Sequence, residues 1–244
     1  MNIALIGFGK LSYNLVKLIN SPNINFMTST QDRSKNTINL IKQSNVEVYD
    51  SFDQAVESAD IIISANSPSQ AVETARRYGN TDSIYLDLNN ISPKTSNEIN
   101  SLANNFVDGA IIGKIDSDNP TLYLSGVDAE KLLFFDEFLN VKIISDRIGD
   151  ASALKLLRST YTKSLSVLLI ESYNLAKGLD LEDEFFDVLA VTEGDDFKQK
   201  SLSRISNTLK SSKRKSEELE EILDYFDVDD LDMVKTALDK LKQF

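Results

Sequence analysis

Short β-branched runs alternate with helix-period segments through the first 147 residues. The alternation predicts strands over Ile3–Ile6, Asn25–Thr30, Val46–Tyr49, Ile61–Ala65, Ile84–Leu88, Phe106–Ile111, Thr121–Ser125 and Val141–Ser145. Between most of them lie helix-length stretches, among them Leu11–Asn20, Thr37–Gln43, Pro68–Tyr78 and Ala129–Leu139. Strand and helix in strict succession predict a mostly parallel, doubly wound sheet with helices on both faces. Ile61-Ile62-Ile63 is apolar without a break, as a strand covered on both faces should be. At Ser92-Pro93 a good N-cap residue precedes a proline at the first helical position, which marks a helix start.

From Gly149 the period changes. Ala151–Lys177 reads as one long helix closed by Gly178, and further helices are predicted over Leu181–Val191, Asp196–Ser212, Glu217–Phe226 and Asp230–Lys242. The expected organisation is therefore α/β over residues 1–147 followed by an all-helical domain over 148–244.

Composition removes much chemistry. The chain of 244 residues has no Cys, so thiolate nucleophiles and Cys-ligated metals are excluded, and no His, so imidazole acid/base and His-ligated metal are excluded too. Chemistry near neutral pH falls to a tuned Lys, Tyr, Asp or Glu, or to a bound cofactor. With 26 Lys plus Arg against 38 Asp plus Glu, the net charge of −12 repels nucleic acid and anionic lipid. The apolar N-terminus stops at Gly7 with no basic region before it, and no run approaches the roughly 18 apolar residues of a membrane span. A soluble cytoplasmic protein is the expectation, with no metal site.

Gly7-Phe8-Gly9-Lys10-Leu11-Ser12 follows the first strand and opens the first helix. This is the dinucleotide fingerprint G-x-G-x-x-G/A with Ser in the third place. Gly7 permits the tight turn, Gly9 lets backbone approach a pyrophosphate, and the third small residue lets helix and strand pack closely. After the second strand come Asp32, Arg33, Ser34 and Lys35. An acidic residue here suits the ribose hydroxyl of NAD, whereas a fork, a hydroxyl and a point charge suit the 2′-phosphate of NADP. The cluster favours NADP, with NAD the alternative; Asp32 and Lys35 also fit an ion pair in a turn. Asn66, Ser67 and Pro68 follow a buried strand at its carboxyl end, and read equally as ribose or phosphate contacts or as a plain helix start.

These pieces resemble the β-hydroxyacid dehydrogenases, and within them a branch of 6-phosphogluconate-dehydrogenase-like proteins. The match runs through Gly7–Ser12, Asp32-Arg33-Ser34, Asp87–Pro93, Val107–Gly113, Gly149–Lys155 and Thr192–Phe197. The resemblance implies a Rossmann domain, a long interdomain helix and a substrate cleft between two domains. The family's G-x-x-x-x-x-K-x-x-x-N segment, with its catalytic Lys, falls on Gly149 and Lys155, with Ser159 in place of Asn. Its substrate-contacting D-x-x-x-S-G segment falls on Asp108 to Gly113, with Ile112 in place of Ser. Arg33 and Ser34 fall where NADP-using members grip the 2′-phosphate. The family usually dimerises, which implies a homodimer.

Read without the family, Lys155, Arg158, Ser159, Thr162 and Ser166 form one polar stripe on an otherwise apolar helix. Such a stripe lines a cleft or forms a solvated face. In a cleft, desolvation and Arg158 lower the Lys155 pKa toward a general acid/base. Arg158 would then orient a carboxylate and Ser159 would hydrogen-bond the reacting oxygen. Asp108 fits a substrate contact and a strand-end turn equally. Asp195, beside Glu193 and Asp196, reads as an N-cap, and Lys210, Lys213, Arg214 and Lys215 read as partners of Glu217, Glu218 and their neighbours on exposed helices, with a phosphate-bearing substrate the alternative. The expected activity is a nicotinamide-dependent oxidoreductase acting on a small hydroxy or keto acid. An imine or pyrroline reductase and a non-catalytic NADP(H)-binding protein are the alternatives.

Overall fold

A computed structural model describes residues 1–117, 120–226 and 230–244. They form two compact units, Met1–Lys155 and Leu156–Phe244.

Eight strands build the first unit: β1 (Asn2–Ile6), β2 (Asn25–Ser29), β3 (Glu47–Tyr49), β4 (Ile61–Ser64), β5 (Ile84–Asp87), β6 (Asn105–Ile112), β7 (Thr121–Ser125) and β8 (Asn140–Ser145). They lie in one sheet in the order β3-β2-β1-β4-β5-β6-β7-β8. The first six run parallel; β7 turns antiparallel to β6, and β8 runs parallel to β7. The chain leaves β1 in one direction and returns on its other side at β4, so a crevice opens at the carboxyl ends of these two strands.

Period-two alternation sorts the strands' side chains between two cores. Ile3 and Leu5 join Leu15, Val16 and Ile41 from α1 (Lys10–Leu18) and α2 (Lys35–Lys42). Ala4 and Ile6 join Phe52, Ala75 and Ile99 from α3 (Phe52–Glu57), α4 (Ala71–Tyr78) and α5 (Pro93–Asn100). Ser92 caps α5 by accepting from the Thr95 N–H at 3.1 Å, as its place before Pro93 predicts.

Two predicted helices differ. Ala129–Glu137 is a 3-10 helix, because its buried residues Ala129, Leu132 and Phe135 recur every three positions. Pro68–Gln70 is likewise a 3-10 turn that leads into α4.

Helix α6 (Asp150–Gly178) begins in the first unit and continues through the second, which adds α7 (Glu182–Glu193), α8 (Phe197–Lys210), α9 (Ser212–Phe226) and α10 (Asp232–Leu241). One core joins Leu156 and Val167 of α6 to Leu219, Ile222, Val234 and Leu238. Another joins Leu169 and Ile170 to Ile205 of α8. Composition predicts a largely buried α6, but Leu157, Tyr161, Leu168 and Leu175 are 53%, 67%, 53% and 73% exposed. Tyr161 and Leu168 line a cavity of about 520 Å³ with Phe185 and Leu189 of α7 and Phe197 of α8.

Candidate functional site

The turn between β1 and α1 is built on two glycines. Gly7 holds a φ of +101°, the left-handed region that glycine occupies without strain. Gly9 sits at the N-cap of α1 in extended conformation, and no side chain caps the helix there. A Cβ added to Gly9 would meet no atom within 4 Å, so the space before the helix N-terminus is clear. Ser12 is fully buried and donates its hydroxyl to the Gly7 carbonyl at 2.8 Å, which ties the loop to its own helix. Phe8 and Leu11 turn into the core. Lys10 is exposed and pairs with Asp116 at 2.8 Å, an ion pair that holds the Asp116 carboxyl below its usual range.

A cavity of about 490 Å³ opens beside this turn. It gathers Gly7, Phe8, Gly9, Asp32, Arg33, Asn66 and Ser67 from three separate strand ends. Asp32 turns the chain after β2 with a φ of +56°, unusual for a non-glycine, and directs Arg33 inward. The Arg33 guanidinium lies 4.7 Å from the centroid of the Phe52 ring. Its Nε is buried with no hydrogen-bond partner. Asn66 donates to the Thr74 hydroxyl at 2.6 Å, and its buried Oδ1 has no partner either. Buried polar atoms are normally satisfied, so two orphans around one cavity mark a place for a polar ligand. An uncapped helix N-terminus, cleared backbone and an arginine fit a nucleotide's phosphates and ribose.

Five predicted cofactor residues, Lys10, Leu11, Ser12, Ser34 and Pro68, lie outside the cavity lining. Ser34 is the N-cap of α2 and accepts from the Thr37 N–H at 3.2 Å. Pro68 starts the 3-10 turn. Lys10 and Ser12 are held as described above. Sequence reasoning missed Gln31, Phe52, Gln70, Glu73, Thr74, Arg77 and Tyr78, which complete the cavity. Gln31 directly precedes Asp32 and Gln70 ends the 3-10 turn, while α3 and α4 carry the others to the cavity.

The carboxyl ends of β4 and β5 and the middle of β6 hold a buried polar row. Ser64 registers with Asp87, and Asp87 with Asp108. Asp87 accepts from the Asn89 N–H and from its side-chain amide, both at 2.8 Å. Burial, with a contribution from Asp108, pushes its carboxyl up to about 6. Asp108 is fully buried. It accepts from Ser96 Oγ at 3.0 Å, Ser125 Oγ at 3.1 Å, Ser152 Oγ at 2.6 Å and the Ser152 N–H at 2.9 Å. Those donors fill the carboxylate, which faces the start of α6 rather than solvent. Ser125 also accepts from the Ala151 N–H at 3.1 Å, so β6 and β7 together cap the first turn of α6. Ile112 and Gly113 stand four and five residues beyond Asp108, about 13 Å further at strand rise. Asp108 and Gly113 thus stand at opposite ends of the motif, one in mid-strand and the other just past the end of β6.

Lys155 lies one turn into α6 from this capped start and is half-buried. In the second unit Arg158 is exposed and Ser159 half-buried. Ser159 Oγ accepts from the ammonium of Lys163, one turn on. Lys163 is 5% exposed and pairs with Glu218 of α9 at 2.7 Å. The predicted stripe leaves out this buried lysine, although it stands at i+4 from Ser159 on the same face.

The acidic cluster is corrected: Asp196, not Asp195, stands before α8, makes no side-chain cap, and pairs with Lys200. Lys213, Arg214 and Lys215 lie inside α9. Arg214 reaches Glu218 at 3.5 Å as expected, but Lys215 is half-buried and donates to Thr208 Oγ1 at 2.6 Å. Among the described residues no group of three or more Asp or Glu side chains is arranged to hold a metal ion. No helix among them is long and apolar enough to cross a membrane.

No protein-family model matches the chain. An uncharacterised 28.5 kDa protein of Methanothermus fervidus is 37% identical over 226 residues, 91% of this chain and 89% of that protein. The solved structure of the conserved protein MTH1747, of unknown function but structurally similar to 3-hydroxyacid dehydrogenases, aligns over all of this chain and 96% of that one, at 34% identity and a TM-score of 0.86. The Mycobacterium tuberculosis 3-hydroxyisobutyrate dehydrogenase, solved with L-serine, shares the fold over all of this chain and 93% of its own, at 16% identity and a TM-score of 0.77. By its likeness to MTH1747, the chain belongs to the β-hydroxyacid dehydrogenase superfamily.

Proposed function

We propose that the protein is an NADP-dependent oxidoreductase that exchanges hydride with a small hydroxy or keto acid, with NAD as the alternative cofactor and Lys155 as the acid/base. The observation that carries this reading is the cavity in which the cleared N-terminus of α1, the Arg33 guanidinium and the orphaned Asn66 Oδ1 meet. There Gly7–Gly9 and the first N–H groups of α1 would hold a pyrophosphate, Asn66 a ribose hydroxyl, and Arg33 a 2′-phosphate. A nicotinamide bound to the protein supplies the hydride acceptor or donor; the proton is the chain's own task. Lys155 takes the hydroxyl proton as the substrate carbon is oxidised and returns it in the reverse direction. Arg158 offers a bidentate grip for a substrate carboxylate. Ser159 accepts from Lys163, so its own proton is left to donate to the reacting oxygen. Residues 1–147 form the nucleotide domain and 148–244 the substrate and pairing domain of a cytoplasmic homodimer.

The test is a titration of NADPH and NADH followed by nicotinamide fluorescence. Wild type should prefer NADPH, and Arg33→Ala should weaken NADPH about 10- to 100-fold, the worth of one or two charge-assisted hydrogen bonds, while sparing NADH. On an accepted hydroxy acid, Lys155→Ala should lower kcat about 10²- to 10⁴-fold. No binding of either nucleotide at high micromolar concentration overturns the reading.

A further inference from the structure

Arg33 is the one cation of the cavity that stacks on Phe52, and the support of that pair is unusually complete. The Arg33 N–H donates to the Thr30 carbonyl at 3.2 Å, so the chain turns before the side chain departs. The guanidinium then lies on the Phe52 ring at 4.7 Å, with Nε buried and unpartnered. Phe52 is 5% exposed and begins α3, whose start is fixed from both sides. Ser51 accepts from the Gln54 N–H at 3.3 Å. Asp53 receives both Nε and a terminal nitrogen of Arg77 on α4, at 3.3 and 2.5 Å. Both Phe52 and Arg33 line the cavity.

A free arginine loses much rotamer freedom when it grips an anion. A guanidinium already laid on an aromatic face by the ring quadrupole loses less, and its outer edge stays turned toward a ligand. An aliphatic side chain fills much of that volume without the attraction. We infer that Phe52 is a positioning residue for Arg33 and, through it, sets the preference for a dinucleotide bearing a 2′-phosphate. This rests on the nucleotide reading above, but assigns the preference to a residue that does not itself touch the phosphate.

The experiment compares NADPH and NADH affinities in wild type, Phe52→Leu and Phe52→Tyr, with thermal unfolding as the check on folding. Phe52→Leu should weaken NADPH about two- to five-fold, the worth of one cation–π contact, and leave NADH within about two-fold. Phe52→Tyr should retain the preference. In the Arg33→Ala background the Phe52→Leu change should no longer affect NADPH. Equal losses for both nucleotides make Phe52 a packing residue and overturn the inference, as does an unchanged preference in Phe52→Leu. If that variant does not fold, Phe52→Met carries the same comparison with the same readings. A wild type indifferent to the 2′-phosphate, with Arg33→Ala inert, overturns the NADP reading itself and the inference with it.

Discussion

A Cβ placed on Gly7 would lie 2.6 Å from the Ala65 carbonyl oxygen and 2.7 Å from Asn66 Cα, on a backbone already at φ +101°. Both neighbours are main chain and neither gives way. Gly7→Ala should therefore destabilise the fold by about 2 kcal/mol or more, visible as a lowered denaturant midpoint. Gly9 is the opposite case, since a Cβ there meets nothing. Gly9→Ala should unfold at about the wild-type temperature yet lose NADPH affinity, because the added methyl group occupies the approach to the helix N-terminus. Equal NADPH binding by Gly9→Ala would show that no phosphate comes near that backbone. The two glycines are alike in the motif, and the pair of measurements separates folding from binding within three residues.

At the scale of elements the start of α6 is the instructive junction. Its early N–H groups are met by Ser125 and Asp108 from neighbouring strands, and a carboxylate at a helix N-terminus also favours the helix dipole. Asp108→Ala would leave the Ser152 N–H and three serine hydroxyls without their acceptor in a buried setting. The expected cost is about 2 to 5 kcal/mol in urea unfolding, with faster amide exchange at Ala151 and Ser152. A substrate-contacting Asp108 predicts the reverse: unchanged stability and a raised KM. Because Lys155 stands one turn along the same helix, the capped start also fixes where the proposed acid/base group begins its reach.

For the whole molecule, the exposed stripe of Leu157, Tyr161, Leu168 and Leu175 on α6 departs from an ordinary polar surface. Val188 and Val191 of α7 add 70% and 85% exposed apolar side chains. The homodimer expected of the protein would cover such a face. Two copies at −12 each repel, so pairing should strengthen as salt screens them. Light scattering should give twice the chain mass at moderate salt, and Leu168→Glu with Leu175→Glu should give a folded monomer. A wild type that stays monomeric at all salt concentrations refutes the pairing.

The eight strands, the long helix, the Ser92 cap and the glycine turn were legible residue by residue, because each depends on neighbours a few positions away. Period-two alternation needs only a strand, and a proline after a serine needs only the next turn. The placement of the site depended on longer reach. Arg33 meets Phe52 only because β3 delivers α3 beside the β2 end, and Asp53 meets Arg77 across 24 residues. Asp108 reads in isolation as a strand-end carboxylate with two equal roles. Ser125 of β7, Ser96 of α5 and Ser152 of α6, the last 44 positions away, then surround it. The exposure of α6 followed the same rule: its leucines are as apolar on a bare face as on a covered one. Local order comes from the torsional and hydrophobic preferences of short segments, while contacts between distant residues are chosen by which segments the fold brings side by side.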